Sequence, residues 1–247
     1  MDGTIYLGRK LLPGAKEFLQ LLDEREVKFL FLTNNSSKSA GQYVIKLNSF
    51  GIETSEDQIL TSGEATALHL QALHAGSKLY VVGTPSLEQE FVSYGFCLSD
   101  RDPDIVVLGF DTTLTYEKLW KICDFIRAGK PYIATHPDIN CPTENGFMPD
   151  IGSFISLIHS STGRLPDEII GKPHEAMIEA IQQKTGIDRN AIAMVGDRLY
   201  TDIAMGNSGI CTILVLSGEA KEADIAAAKI KPNFVMKDLS ELVIALQ

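Results

Sequence analysis

The sequence predicts an α/β protein whose strands run parallel, and two observations predict it. Short β-rich apolar runs alternate with amphipathic helical stretches along most of the 247 residues. The polar residues best suited to chemistry fall just after the apolar runs. The alternation implies right-handed crossover units with helices covering the sheets. The polar residues mark the carboxyl ends of strands, where open α/β sheets bind ligands beside helix N-termini. The runs are too numerous for one simple sheet, so two α/β layers or domains are expected, one inserted into the other.

The elements follow in order. After Pro13 and Gly14, the residues Ala15, Phe18, Leu19 and Leu22 recur at helical spacing, and 27–32 is an apolar run ending at Thr33, Asn34 and Asn35. Ser37 reads as the N-cap of a helix carrying Ala40, Val44 and Leu47 on one face, with Gly51 just past its end. Ile59 and Leu60 lead into Thr61 and Ser62, where a helix starts that reaches Gly76. Strands follow at 78–82, 105–108 and 132–134, with helices at 87–94 and 116–128 between them. Residues 136–148, rich in Pro, Asn and Asp and without periodicity, read as a long functional loop. A helix at 153–161 then precedes strands at 168–170, 192–195, 211–216 and 233–236, which alternate with helices at 174–185, 201–207, 222–228 and 239–246.

Composition excludes several classes of function. With 45% hydrophobic and 22% charged residues the chain can bury a substantial core. Its 22 Lys and Arg against 32 Asp and Glu, a net charge of −10, argue against a nucleic-acid partner, which calls for a basic stripe. No run approaches the roughly 20 apolar residues that span a bilayer. The first residues lack the apolar core and cleavage site of a secretory signal. Cys97, Cys123, Cys141 and Cys211 are scattered and form no C-x-x-C pair, which fits a reduced, cytoplasmic protein. His69, His74, His136, His159 and His174 show no metal-ligand spacing and read as surface or helix-face residues.

Four polar clusters remain: Asp2-Gly3-Thr4; Thr33-Asn34-Asn35; Gly171-Lys172-Pro173; and Gly196-Asp197 followed by Asp202. Each alone reads as a turn or a cap. In order, at the ends of apolar strands, they offer carboxylates, hydroxyls, a cation and turn glycines, an inventory that suits a phosphate and a divalent metal. Mg²⁺ takes oxygen ligands and keeps waters, so one or two carboxylates plus a substrate phosphate suffice. Asp197 can be such a ligand. Thr33 and nearby N–H groups can hold phosphate oxygens, and Lys172 can neutralise transition-state charge. A carboxylate can also attack phosphorus, with a second carboxyl activating the water that follows.

The segments MDGTIYLG, FLFLTNNSS, IIGKP and MVGDRLYTDI resemble, in order, the four motifs of the haloacid dehalogenase superfamily, in its NagD-like or 4-nitrophenylphosphatase branch. The likeness covers the whole chain. It implies a Rossmann-like parallel-sheet core at 1–75 and 166–247 and an inserted α/β cap at 76–165. It further implies a Mg²⁺-dependent phosphatase for a small phosphorylated metabolite, such as a sugar phosphate or a nucleotide, and a homodimer formed through the cap. By this resemblance Asp2 protonates the leaving group, then activates water, and offers its backbone carbonyl to Mg²⁺. Thr33, helped by Asn34 and Asn35, binds the phosphoryl group. Lys172 steadies nucleophile and phosphate, Asp197 holds Mg²⁺, and Asp202 is an outer-shell carboxylate. Asp138, Asn140 and Cys141 lie in a stretch similar to the cap segment that faces the substrate.

In the family the first motif reads Asp-x-Asp-Gly-Thr, and its first aspartate attacks phosphorus. Here x is Met1. The nucleophile is therefore expected one residue ahead of Met1, together with the apolar strand that leads into it, and the core as given is expected to lack that strand. The alternative reading is a non-catalytic phospholigand-binding or regulatory protein. A response-regulator receiver shares the residue types but has no place for Gly-Asp-x4-Asp or the long insertion.

Overall fold

The computed structural model describes residues 1–143 and 146–247; Glu144 and Asn145, inside the stretch read as a loop, lie outside the described residues. The chain divides into two compact α/β units. One comprises Met1–Leu32, Val44–Ile59 and Ile181–Gln247, the other Thr33–Tyr43 and Leu60–Ala180. The segment proposed as a cap, 76–165, falls wholly within the second.

The second unit is built on a five-stranded sheet in the order Glu168–Ile169, Tyr132–Ala134, Ile105–Leu108, Lys78–Val82 and Cys97–Leu98. All its pairings are parallel, with Leu79 opposite Ile105 and Val107 opposite Ile133. Helices cover it, so its central strands are apolar without alternation. Val82, Val106, Leu108 and Tyr132 share one core with Ile122 and Ile126 of helix Tyr116–Arg127 and with Ile151, Ile155 and Ile158 of helix Ile151–Thr162. Thr115 and Asp150 cap those two helices through their side chains.

The stretch read as a loop contains an antiparallel hairpin, Asn140–Thr143 against Gly146–Pro149, with Cys141 opposite Met148. Its Pro- and Asn-rich composition carries no apolar alternation, so backbone pairing left no periodic trace in the sequence. Ser37 is not a helix cap. The helix is Ala40–Ser49, the Ser39 N–H donates to Gln42 Oε1 at 3.0 Å, and the Ser37 hydroxyl donates instead to Asn35 Oδ1. The helix expected at 201–207 is a 3-10 helix, Ile203–Ser208.

The first unit carries a parallel sheet in the order Ala193–Gly196, Cys211–Val215, Phe234–Met236. The apolar run 27–32 is less regular than expected: only Phe31–Thr33 is strand, and 27–30 has no ladder. An extended segment becomes a strand only where a neighbour closes its hydrogen bonds. Beside it lies a cavity of about 810 Å³ lined by Met1, Ile5, Phe31, Met194, Val195 and Ile213, among others. No helix among the described residues is long and apolar enough to cross a membrane.

Candidate active site

The first unit holds the carboxylates. Asp197 follows the strand Ala193–Gly196 and is 4% exposed. Its Oδ1 accepts the Thr4 hydroxyl at 3.1 Å and its Oδ2 accepts the Glu219 N–H at 2.9 Å. Backbone crowds it from two sides. A Cβ on Gly3 would lie 2.2 Å from Asp197 Oδ2, and one on Gly218 2.1 Å from it, so both positions must be glycine for the carboxylate to sit here. Gly3 also has φ 80°, which favours glycine. Asp202, equally buried, accepts the N–H groups of Asp197 and Arg198 on Oδ2 at 3.2 Å each, and so braces the turn that presents Asp197. Burial, and next the Asp202 charge, push the Asp197 carboxyl above its ordinary value.

Asp2 is half-exposed, with Oδ2 4.0 Å from Lys46 Nζ, and that ammonium lies 3.8 Å above the Tyr6 ring. Among the described residues no three His, Cys, Asp or Glu side chains are grouped as a metal cage. A hard cation that relies on one or two carboxylates still fits. Each Asp197 oxygen accepts one hydrogen bond and keeps a further lone pair, and a cation would offset the cost of burying Asp197 beside Asp202. Gly3→Ala is therefore expected to cost about 1–3 kcal/mol of stability and to weaken divalent-cation binding about tenfold or more, as read by urea denaturation and cation titration.

The second unit holds the cation and the amides. The Asn34 side chain clamps the backbone at Lys172: Oδ1 accepts the Lys172 N–H at 2.8 Å, and Nδ2 donates to the Lys172 carbonyl at 3.0 Å and to Asp138 Oδ1 at 2.9 Å. Lys172 is only 6% exposed. Asn35 makes an Asx turn, its Oδ1 accepting the Ser37 N–H at 2.9 Å, and its own N–H donates to Thr33 Oγ1 at 3.2 Å. Its Nδ2 reaches Cys141 Sγ at 4.0 Å. Asn140 is exposed, paired through its backbone opposite Pro149.

The structure thus groups Asp2, Asp197 and Asp202 in one unit and Thr33, Asn34, Asn35, Asp138, Cys141 and Lys172 in the other. Three polar residues went unread in the sequence: Thr4 as a partner of Asp197, and the pair His136 and Asp150. His136 is wholly buried, contrary to a surface reading, and its position just past strand Tyr132–Ala134 was the available signal. His174 is half-buried, and that burial lowers its pKa. As pH falls through about 6.5 the unfolded chain takes this proton first, so folding stability drops with acidification. His174→Gln is expected to lessen the fall of the melting temperature as pH drops below about 6.5.

A model of haloacid dehalogenase-like hydrolases matches residues 1–97 and a HAD-hydrolase-like model matches 169–242. The chain is 50% identical to a 4-nitrophenylphosphatase of known structure from Thermotoga maritima, with a TM-score of 0.97 over 100% of this chain and 95% of that one. It is 35% identical to an acid sugar phosphatase of Staphylococcus epidermidis over 100% of this chain and 96% of that protein. A glycerol phosphate phosphatase of Mycobacterium tuberculosis, solved in complex with calcium, is 31% identical with a TM-score of 0.91, over 98% of this chain and 72% of that one.

Proposed function

Because this chain belongs to the haloacid dehalogenase-like hydrolases, and within them to the NagD and 4-nitrophenylphosphatase group, we propose that it hydrolyses small organic phosphate monoesters, sugar phosphates or nucleotides among them, with Mg²⁺ and through an aspartyl-phosphate. The observation that carries this reading is Lys172. It is only 6% exposed, and its backbone is clamped on both sides by Asn34. A cation held in place in this way suits an anionic substrate.

The roles follow from what each group can do. Lys172 and the Thr33 hydroxyl bind the phosphoryl oxygens, with Asn34 and Asn35 setting the turn that presents them. In a chain carrying the leading aspartate of the family motif, that carboxylate would form a bond to phosphorus as the ester P–O bond breaks. The Asp2 carboxyl gives its proton to the departing oxygen, so the alcohol leaves neutral. The Asp2 carboxylate then takes a proton from water, whose oxygen attacks the acyl phosphate and releases orthophosphate. Asp197 and the Asp2 carbonyl would hold the cation, and Asp202 would steady that shell. When bound, the cation would neutralise charge on the phosphoryl oxygens. Asp138, Asn140 and Cys141 are assigned to the leaving group. Among the described residues no disulfide joins Cys97, Cys123, Cys141 and Cys211, which supports a cytoplasmic setting.

The test is orthophosphate release from sugar phosphates, nucleoside monophosphates and glycerol phosphate, with Mg²⁺ and with chelator, by a chain carrying the leading aspartate. Release that needs Mg²⁺ is expected. No release from any ester overturns the proposal.

A further inference from the structure

The polar chain that clamps Lys172 does not stop at Asn34. Asp138, which accepts from the Asn34 amide, donates its own backbone N–H to His136 Nδ1 at 3.3 Å. An imidazole nitrogen that accepts an N–H carries no proton, so the ring proton must sit on Nε2. Nε2 faces Asp150 Oδ1 at 3.5 Å. Asp150 is itself held, because the same Oδ1 accepts the Ile151 N–H at 2.7 Å as the N-cap of helix Ile151–Thr162. Backbone bonds close the same loop: the Gly152 N–H donates to the Asp138 carbonyl at 2.8 Å and the Asp150 N–H to the Ile139 carbonyl at 2.9 Å.

The ring has no room to drift. His136 is fully buried and Asp150 nearly so, and the Phe110 ring stands edge-on to the imidazole, 6.5 Å between centroids at 90°. On the other side Gly171 comes so close that a Cβ there would lie 2.6 Å from His136 Cβ and 2.8 Å from Asn34 Oδ1. Gly171 directly precedes Lys172, so the residue before the lysine is packed between the two ends of the polar chain.

We propose that His136, set as its Nε2–H tautomer by the Asp138 N–H on Nδ1 and facing Asp150 with Nε2, is a positioning residue for Lys172, acting through Asp138 and the Asn34 amide. A buried imidazole that accepts one neighbour's N–H at Nδ1 and faces another's carboxylate with Nε2 transmits position: a flipped ring loses both contacts, and a second proton, on Nδ1, removes the lone pair that the Asp138 N–H uses. The ring touches no reacting atom. The value of the inference for catalysis rests on the phosphatase reading; the relay itself does not.

Two sets of measurements separate these. In the ligand-free protein, ring ¹⁵N shifts are expected to show His136 Nδ1 bare and Nε2 protonated at neutral pH, with assignment by loss of the signal in H136N. The Asn34 side-chain amide signals are expected to move in His136→Phe and in Asp150→Ser, and to return in His136→Asn. Asparagine puts an oxygen acceptor near the Nδ1 position, whereas phenylalanine offers none, and serine still caps the helix but is too short to reach the ring. Asp150→Ser keeps the test open if His136→Phe does not fold. In calorimetric titration with inorganic phosphate, the H136F and D150S variants are expected to bind about tenfold more weakly, and H136N to bind within about twofold of the parent.

A protonated Nδ1, or an Asn34 amide unmoved in H136F and D150S, overturns the relay. So does a loss of melting temperature in those variants with phosphate affinity intact, which is what a merely structural histidine would give. If the parent chain binds no phosphate, the phosphatase reading fails, and the ring and amide signals decide the relay by themselves.

Discussion

A chain fused, directly ahead of Met1, to an apolar strand of about five or six residues ending in aspartate is expected to melt about 10–20 °C higher than the chain described above and to gain Mg²⁺-dependent phosphatase activity. The cavity in the first unit is the reason. It measures about 810 Å³, and its lining includes Met1, residues 28–32 and residues 191–195. Ala193–Gly196 is hydrogen-bonded into its sheet through Cys211–Val215. A strand laid there would close ladders at its flanks and cover the part-exposed Leu30, Met194 and Ile213. Burying each large apolar side chain contributes about 1.5–3 kcal/mol, against about 1–2 kcal/mol per residue for ordering the backbone. With ladder hydrogen bonds the net is on the order of 5 kcal/mol, and in a chain of this size each kcal/mol moves the midpoint by about 2–4 °C. The same strand ending in asparagine should give the thermal gain without turnover. A fusion that melts no higher, while a polar scramble of it behaves identically, would show that the cavity is no strand site.

Asp197→Asn in that active fusion is expected to lower turnover at least about a thousandfold and divalent-cation affinity at least about a hundredfold, yet to raise the melting temperature of the metal-free protein. The two signs have one origin. The Asp197 carboxyl is pushed up by burial first and by Asp202 second. Its charged form therefore opposes folding once pH rises above the unfolded value of 3.8 and through the raised folded value. Removing the charge relieves that cost. The amide can keep the bond from the Glu219 N–H or the bond from Thr4, since its oxygen still accepts. Differential scanning fluorimetry with and without chelator reads both effects. A drop in the melting temperature of the metal-free variant would mean that the carboxylate is a structural bond acceptor rather than a ligand held at a cost.

Much of this was legible in the residues, for identifiable reasons. Strands 78–82, 105–108 and 132–134 and the helix at 239–246 matched the expected bounds because buried parallel strands and amphipathic helices write their packing into apolar spacing. Asp197, Lys172 and Asn34 stood out in the sequence because they fall directly after such strands, and the structure buries all three. The hairpin at Asn140–Thr143 and Gly146–Pro149 was not, since neither strand alternates. The shortening of 27–32 to Phe31–Thr33 was hidden because apolar content says what a segment can pair with, not whether a partner is there. His136 and Asp150 were missed because they lie 14 positions apart in sequence and meet only through the return of the hairpin.

Glu219 serves Asp197 with its backbone N–H, and its side chain is engaged elsewhere, with Arg198 Nε at 3.0 Å and the Tyr200 hydroxyl at 2.7 Å. The carboxylate pocket is thus indifferent to the identity of residue 219, proline excepted, because only proline lacks the donor. Natural drift can remodel the charge and size of the surface carried by 198, 200 and 219 while leaving the grip on Asp197 untouched. Related chains can then diverge in what they admit beside Asp197 without having to rebuild its setting.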